Sequence, residues 1–401
     1  IMLCGDGKPV PGPAKYNSFW LRDAAYIADA LFYAGQGDLI PPALAEIRSM
    51  QLPDGGFLAK TRGNADELDA PGEAIYTFVQ HYKRTGDRKL LQDAWPMILS
   101  ASKFVRDKRV SADGILPPSV SAEDLGSGKH QHYWDDFWCV RGLRDAAFAA
   151  RELGKAKDAE WMQAEADSLL KATLASVRSL KTSYIPNGPQ DLTSSAMARG
   201  TSCGLWPCDV LDPNDPLTTS SFDTYWDKWI APSKGGFIHK GHYWPYAGLD
   251  LAQGYIMLGQ RERAWTMLDW TLKHDPTKGF YSWPEGMFTD NLTLAEGDMP
   301  HGWMCASYIS LVRNMLVRES GQDLVLMSGV PRHWLRRGAT IAVRDLPVQF
   351  GTLSYTARVD GDSLRLTIDA PKKARALRVI LPSRREITLS ATTRSATIPL
   401  Q

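Results

Sequence analysis

Between Phe19 and Arg318 apolar residues recur with the 3.6-residue period of half-buried helices, and the stretches separating them alternate between short and long. This rhythm predicts helical hairpins. A first pair covers residues 19–33 and 39–50 across Ala34-Gly35-Gln36-Gly37-Asp38, and a second covers 71–84 and 88–106 across Thr85-Gly86-Asp87. A third covers 135–153 and 156–177 across Gly154-Lys155. A less regular fourth falls within 194–230, a fifth covers 246–258 and 261–274 across Gly259-Gln260, and a last helix covers 302–317. The unit of helix, tight turn, helix and long loop returns at roughly 50–60 residues, the kind of period that marks stacked supersecondary units. Five pairs and one further helix suggest six hairpins, the last partner being expected upstream of Ile1. In a closed ring of such hairpins the long loops converge at one end, where function is expected.

After Glu319 the period changes to two, over 323–327, 339–344, 351–359, 363–368, 376–381 and 386–389. The Asp360-Gly361 turn inside Arg358 to Leu364 is a strong hairpin signal. The predicted fold class is mainly α, an (α/α)6 toroid over residues 1–318 followed by a small antiparallel β-sandwich over 319–401. The β part holds few clustered carboxylates or histidines, so a supporting role is expected for it.

Charge narrows the partners: 46 Lys and Arg nearly balance 45 Asp and Glu, which gives no general attraction to nucleic acid or an anionic membrane. No apolar run reaches the length of a membrane span. The chain opens without a start Met or signal-like segment, so an upstream portion is expected and the compartment stays open, a periplasmic or secreted location being slightly favoured. The five cysteines fall in no CxxC or Cys/His ligand spacing; they read as buried thiols, and no metal or cofactor is expected.

Tryptophan is the informative residue. Of the 14, Trp95, Trp161, Trp265 and Trp270 read as core, but others stand beside acids, histidines or prolines in loops. Flat rings near carboxylates suit a sugar, whose C–H faces stack while its hydroxyls need polar partners. Four such clusters open helices or precede them: Trp20-Leu21-Arg22-Asp23, Trp134-Asp135-Asp136, Trp283-Pro284-Glu285, and Asp298-Met299-Pro300-His301-Gly302-Trp303. Glycosidic hydrolysis needs one carboxylic acid to protonate the leaving oxygen and one carboxylate to activate water or attack the sugar. Glu285, between Pro284 and Gly286, is the candidate base, and Asp135 the candidate acid. Asp136 and Glu123 are the alternative acids, although Asp135 and Asp136 equally suit the first turn of a helix. Trp20, Arg22, Asp23, Trp134, His242, Trp244, Trp283, His301 and Trp303 are the candidate substrate-binding residues. Asp298 reads as a cap for the last helix.

The Trp20-Leu21-Arg22-Asp23 run, the Pro53-Asp54-Gly55-Gly56-Phe57 loop and the late Glu285 resemble the six-hairpin glycosidases, and among them the glucoamylase group, glycoside hydrolase family 15. The resemblance implies an inverting hydrolase with sugar binding at Arg22 and Asp23, the acid at Asp135 and the base at Glu285. The β part looks more like the C-terminal domain of α-L-rhamnosidases, and a rhamnosidase-like hydrolase is the alternative. The chain departs from the glucoamylase pattern in having Asp135-Asp136 where that group has two Glu. An oligosaccharide or glycoside is the expected partner. His130, His132, Tyr133, His239, His242 and Tyr243 also suit a polysaccharide lyase or sugar epimerase, and a non-catalytic carbohydrate-binding protein would keep the basin without a competent acid pair.

Overall fold

The protein is described from a computed structural model, which covers residues 7–61, 63, 66–120, 129–349, 351–383 and 385–400. Eleven α-helices stand among the described residues: α1 (Leu21–Tyr33), α2 (Pro41–Ser49), α3 (Ala70–Thr85), α4 (Arg88–Lys108), α5 (Tyr133–Glu152), α6 (Ala156–Ser179), α7 (Ala196–Leu205), α8 (Pro216–Tyr225), α9 (Pro245–Met257), α10 (Arg261–Lys273) and α11 (Gly302–Leu316). The ends fall within a few residues of those the periodicity predicts. Tight turns stop the helices where the sequence places glycine: Gly86 closes α3 at φ 72°, and Asp87 then caps α4 by accepting from the Leu90 amide.

Burial separates the helices into two kinds. All ten residues of α7, and all of α9 from Pro245 to Ile256, are buried, whereas α6 buries one stripe, Ala159, Met162, Ala166, Leu169, Thr173 and Val177. A helix covered all round lies inside and a striped one outside. The odd-numbered helices pack in succession, α1 on α3, α3 on α5, α5 on α7, α7 on α9 and α9 on α11, and α11 returns to α1. Each even-numbered helix packs on its predecessor. The α3–α5 approach is close enough to require glycine on both sides, since a Cβ at Gly72 would lie 2.3 Å from the Trp138 carbonyl oxygen and one at Gly142 would lie 2.7 Å from the Gly72 Cα.

Short strands decorate the loops. β1 (Ser119–Val120) pairs with β2 (Lys129–His130), and β3 (Ile238–His239), β4 (His242–Tyr243), β5 (Gly286–Phe288) and β6 (Leu294–Glu296) form an antiparallel sheet in that order. At two or three residues each, these show no alternation, and periodicity does not predict them.

The chain passes from α11 directly into β7 (Val317–Ser320), just before the predicted change at 319, followed by β8 (Asp323–Leu326), β9 (Thr340–Val348), β10 (Gly351–Asp360), β11 (Ser363–Asp369), β12 (Ala376–Ile380), β13 (Glu386–Ser390) and β14 (Ser395–Pro399). They form two four-stranded sheets, β14-β11-β10-β9 and β13-β12-β8-β7. The expected all-antiparallel pattern is broken once, where β12 runs parallel to β8. Inward residues of both sheets, among them Leu324, Leu326, Leu377, Val379, Leu353, Tyr355 and Leu366, share one apolar core separate from that of the helices. Arg261 of α10 ties the two parts together, donating to the carbonyls of Met327, Val330 and Leu381.

Candidate active site

At the N-terminal end of the inner helices, where the long loops meet, lies a cavity of about 270 Å³. Trp20, Arg22 and Asp23 reach it from the start of α1, Glu67 from the segment before α3, Lys240 and Trp244 from the chain entering α9, and Glu285, Glu296 and His301 from the chain entering α11. Pro11, Lys15, Tyr16 and Val120 complete its wall.

Glu285 is buried, and the Tyr16 hydroxyl donates to its Oε2 at 2.8 Å. Burial raises the Glu285 pKa, while the Tyr16 hydrogen bond and the charge of Arg199 oppose that rise. Gly297 packs against this carboxylate so tightly that a Cβ there would lie 2.4 Å from its Oε2. Asp298 does not cap α11. It accepts from the backbone amides of Ala14, Lys15 and Tyr16 at 3.0, 3.0 and 2.8 Å, and so fixes the segment that presents Tyr16. Burial opposes its ionisation, but these three bonds hold its carboxyl below the usual range.

Arg22 is the centre of a buried ionic cluster. Its Nη1 donates to Glu67 Oε2 at 2.7 Å and to Asp69 Oδ2 at 3.2 Å, and Asp69 Oδ2 also accepts from the Trp134 indole at 2.8 Å. Asp23 is pushed up to about 7, chiefly by burial, with Arg22 opposing and Glu285 adding to the rise. His301 Nε2 stands 3.9 Å from Asp23 Oδ1. Burial, reinforced by Arg199, lowers His301 to about 3, so the imidazole is neutral near pH 7 and meets Asp23 as a polar group rather than a cation.

Six of the sequence candidates therefore line the cavity: Trp20, Arg22, Asp23, Trp244, Glu285 and His301. Others are not in its wall. Asp135 and Asp136 are buried in the first turn of α5, where Asp135 Oδ2 accepts from the Ser119 hydroxyl at 2.6 Å and Asp136 Oδ1 from the Leu116 amide at 3.0 Å. Trp134 is spent on Asp69; the Trp283 indole donates to the Thr271 carbonyl, and Trp303 stacks on Tyr26 while donating to Asp250. His242 packs edge-on against Phe288 on the β4–β5 pair. Glu123 lies outside the described residues. Periodicity gave no reason to pick Tyr16, but Glu67 had the same signal as Asp135, an acid at the end of a long loop just before an inner helix. Cys203 and Cys208 are free buried thiols. Among the described residues no cluster of His, Cys, Asp or Glu is arranged to hold a metal, and no helix is long and apolar enough to cross a membrane.

Burial pushes Asp136 up to about 8. A carboxyl with a folded pKa above its unfolded value keeps its proton longer in the folded state, so its contribution to stability falls as pH rises from the ordinary carboxylate range through 8. The wild type should lose more stability between pH 5 and pH 8.5 than Asp136→Asn, which cannot ionise. Urea midpoints at the two pH values measure this, and equal losses would show that Asp136 is not protonated in the fold.

No protein-family model matches the chain. An uncharacterized glycosyl hydrolase of Methanocaldococcus jannaschii is 32% identical over 26% of this chain and 19% of its own, and trehalase 1 of Sulfolobus acidocaldarius is 22% identical over 75% of this chain and 56% of its own. The chain thus spans under a fifth of one relative and about half of the other. Among solved structures, a family 78 rhamnosidase of Bacillus sp. GL1 superimposes with TM-score 0.65 at 16% identity, covering 92% of this chain and 39% of that one. A bacterial glucoamylase complexed with acarbose gives TM-score 0.59 at 15% identity over 76% of this chain and 52% of that one. The chain shares the fold of these glycosidases.

Proposed function

We propose that this chain is a glycoside hydrolase of the six-hairpin kind that releases a terminal sugar by an inverting, two-carboxylate mechanism. In this reading residues 1–318 form the catalytic toroid, with the odd-numbered helices as its inner ring, and residues 319–401 support it. The observation that carries the proposal is the cavity itself, where Glu285, held by Tyr16, faces the Arg22–Asp23 pair beside the rings of Trp20 and Trp244. The relatives are named glycosyl hydrolase and trehalase, and the shared fold is that of a glucoamylase and a rhamnosidase. A cavity this small suits the end of a saccharide rather than its middle.

Glu285 acts as general base toward a water at the anomeric carbon, while Asp23, Glu67 and Trp20 orient the terminal ring. The acid role we assign to Glu123. Asp135 lies outside the cavity wall, its Oδ2 accepting from Ser119 while its Oδ1 is buried without a hydrogen bond among the described residues, and Asp135 and Asp136 together hold the chain at Leu116 and Ser119. That chain leads into Val120, which does line the cavity, and Glu123 follows three positions later. A screen of aryl glycosides and oligosaccharides identifies sugar and anomer; release from none of them would refute the activity. With a substrate in hand, Glu123→Gln should lose cleavage of glycosides with poor leaving groups yet keep much activity on activated aryl glycosides, which depart without protonation. Asp135→Asn should show no such leaving-group dependence, and the reverse pattern would return the acid to Asp135.

A further inference from the structure

A second cavity of about 370 Å³ lies at the opposite, C-terminal end of the inner helices, between the ends of α3, α5, α7 and α9 and the β7–β8 turn. Its wall carries Lys83, Arg84, Arg141, Arg144, Arg151 and Arg318 against three carboxylates, Asp145, Asp209 and Glu319. Cations at helix C-termini are expected, because the carbonyl ends carry partial negative charge. Internal pairing accounts for half of them: Lys83 and Arg141 both bind Asp145, and Arg84 binds Asp29. Glu319 is taken by Arg313 from outside the wall.

Arg144, Arg151 and Arg318 remain. Among the described residues none of the three has a carboxylate partner; Arg144 donates to the Asp209 carbonyl at 3.2 Å and Arg318 to the Ser328 hydroxyl at 3.3 Å. Burial and the neighbouring Arg378 lower Arg318 to about 10, against the charges of Asp209, Glu386 and Glu319, which oppose that fall. Three guanidinium groups around one open cavity, with a surplus of positive charge, match the planar, forked recognition of phosphate oxygens. We propose that this cavity binds a small metabolite bearing a phosphate group, at a site remote from the sugar cavity and formed jointly by the helical and β parts.

Calorimetric titration of the full chain with inorganic phosphate and with glucose 6-phosphate tests this, against chloride and glucose at matched ionic strength. Saturable binding of a phosphate compound, absent with both controls, is expected. Arg144→Gln and Arg151→Glu should each weaken it about tenfold or more, as loss of a charge-assisted contact implies. Arg151 is exposed, so its replacement leaves the fold intact if the Arg144 variant proves unstable. Tighter binding of the sugar phosphate than of the free ion would make the organic part a recognised group, and equal binding would make the ion itself the ligand. Heats that match chloride, or affinity unchanged in both variants, would overturn the site.

Discussion

Glu285→Gln should lower kcat/KM by about a thousandfold, roughly 4 kcal/mol of transition-state stabilisation, while leaving the melting transition near that of the wild type. The amide keeps the shape of the side chain and can still accept the Tyr16 hydroxyl, so the surroundings of the cavity are retained. What is lost is the capacity to take a proton from water. The deficit should be in kcat more than in KM, since the residue acts on water rather than on the bound ring. Steady-state rates on the best substrate of the screen decide the matter. Near wild-type turnover would remove Glu285 from the chemistry and leave its burial and its bond to Tyr16 as structural features.

Arg22→Met carries the largest expected loss of stability. The guanidinium is 1% exposed and lies against Glu67 and Asp69, of which Asp69 is fully buried. Removing it leaves two carboxylates in a low-dielectric site without this cation, a change that typically costs about 3–5 kcal/mol. Arg22→Lys should recover part of the loss, because Nη1 alone donates to both acids and one ammonium carries enough donors for both contacts. Urea denaturation of the purified variants gives the number. A loss below about 1 kcal/mol would mean that the two acids do not depend on Arg22 for compensation. Any accompanying loss of activity is then read only in variants that remain folded at the assay temperature.

The sequence alone determined the helices and six of the eight strands of the β part, β8 to β13, because their signals are local. Periodicity fixes a helix within its own span, Gly86 and Asp87 end one helix and start the next, and the two-residue Gly361-Asp362 turn sets the register of β10 on β11 from Asp360–Ser363 outward. It also marked Glu285, Arg22 and Asp23, since charged residues among apolar and aromatic neighbours at helix entries have few bland explanations. It did not decide which acids face the cavity. Successive residues in a helix's first turn point about 100° apart, so Asp135 and Asp136 part to Ser119 and Leu116; Asp23, third in α1 as Asp135 is in α5, lines the cavity, a difference the helix position does not set. The partners that settle each role are distant in the chain. Tyr16 meets Glu285 across 269 residues, Asp298 pins Tyr16 across 282, and Glu67 meets Arg22 across 45. Trp134, Trp283 and Trp303 have the composition of sugar platforms but are drawn into the core by Asp69, Thr271 and Asp250, because a buried indole N–H must find an acceptor. Only the packing of the inner helices against one another decides which of these groups is left facing open space.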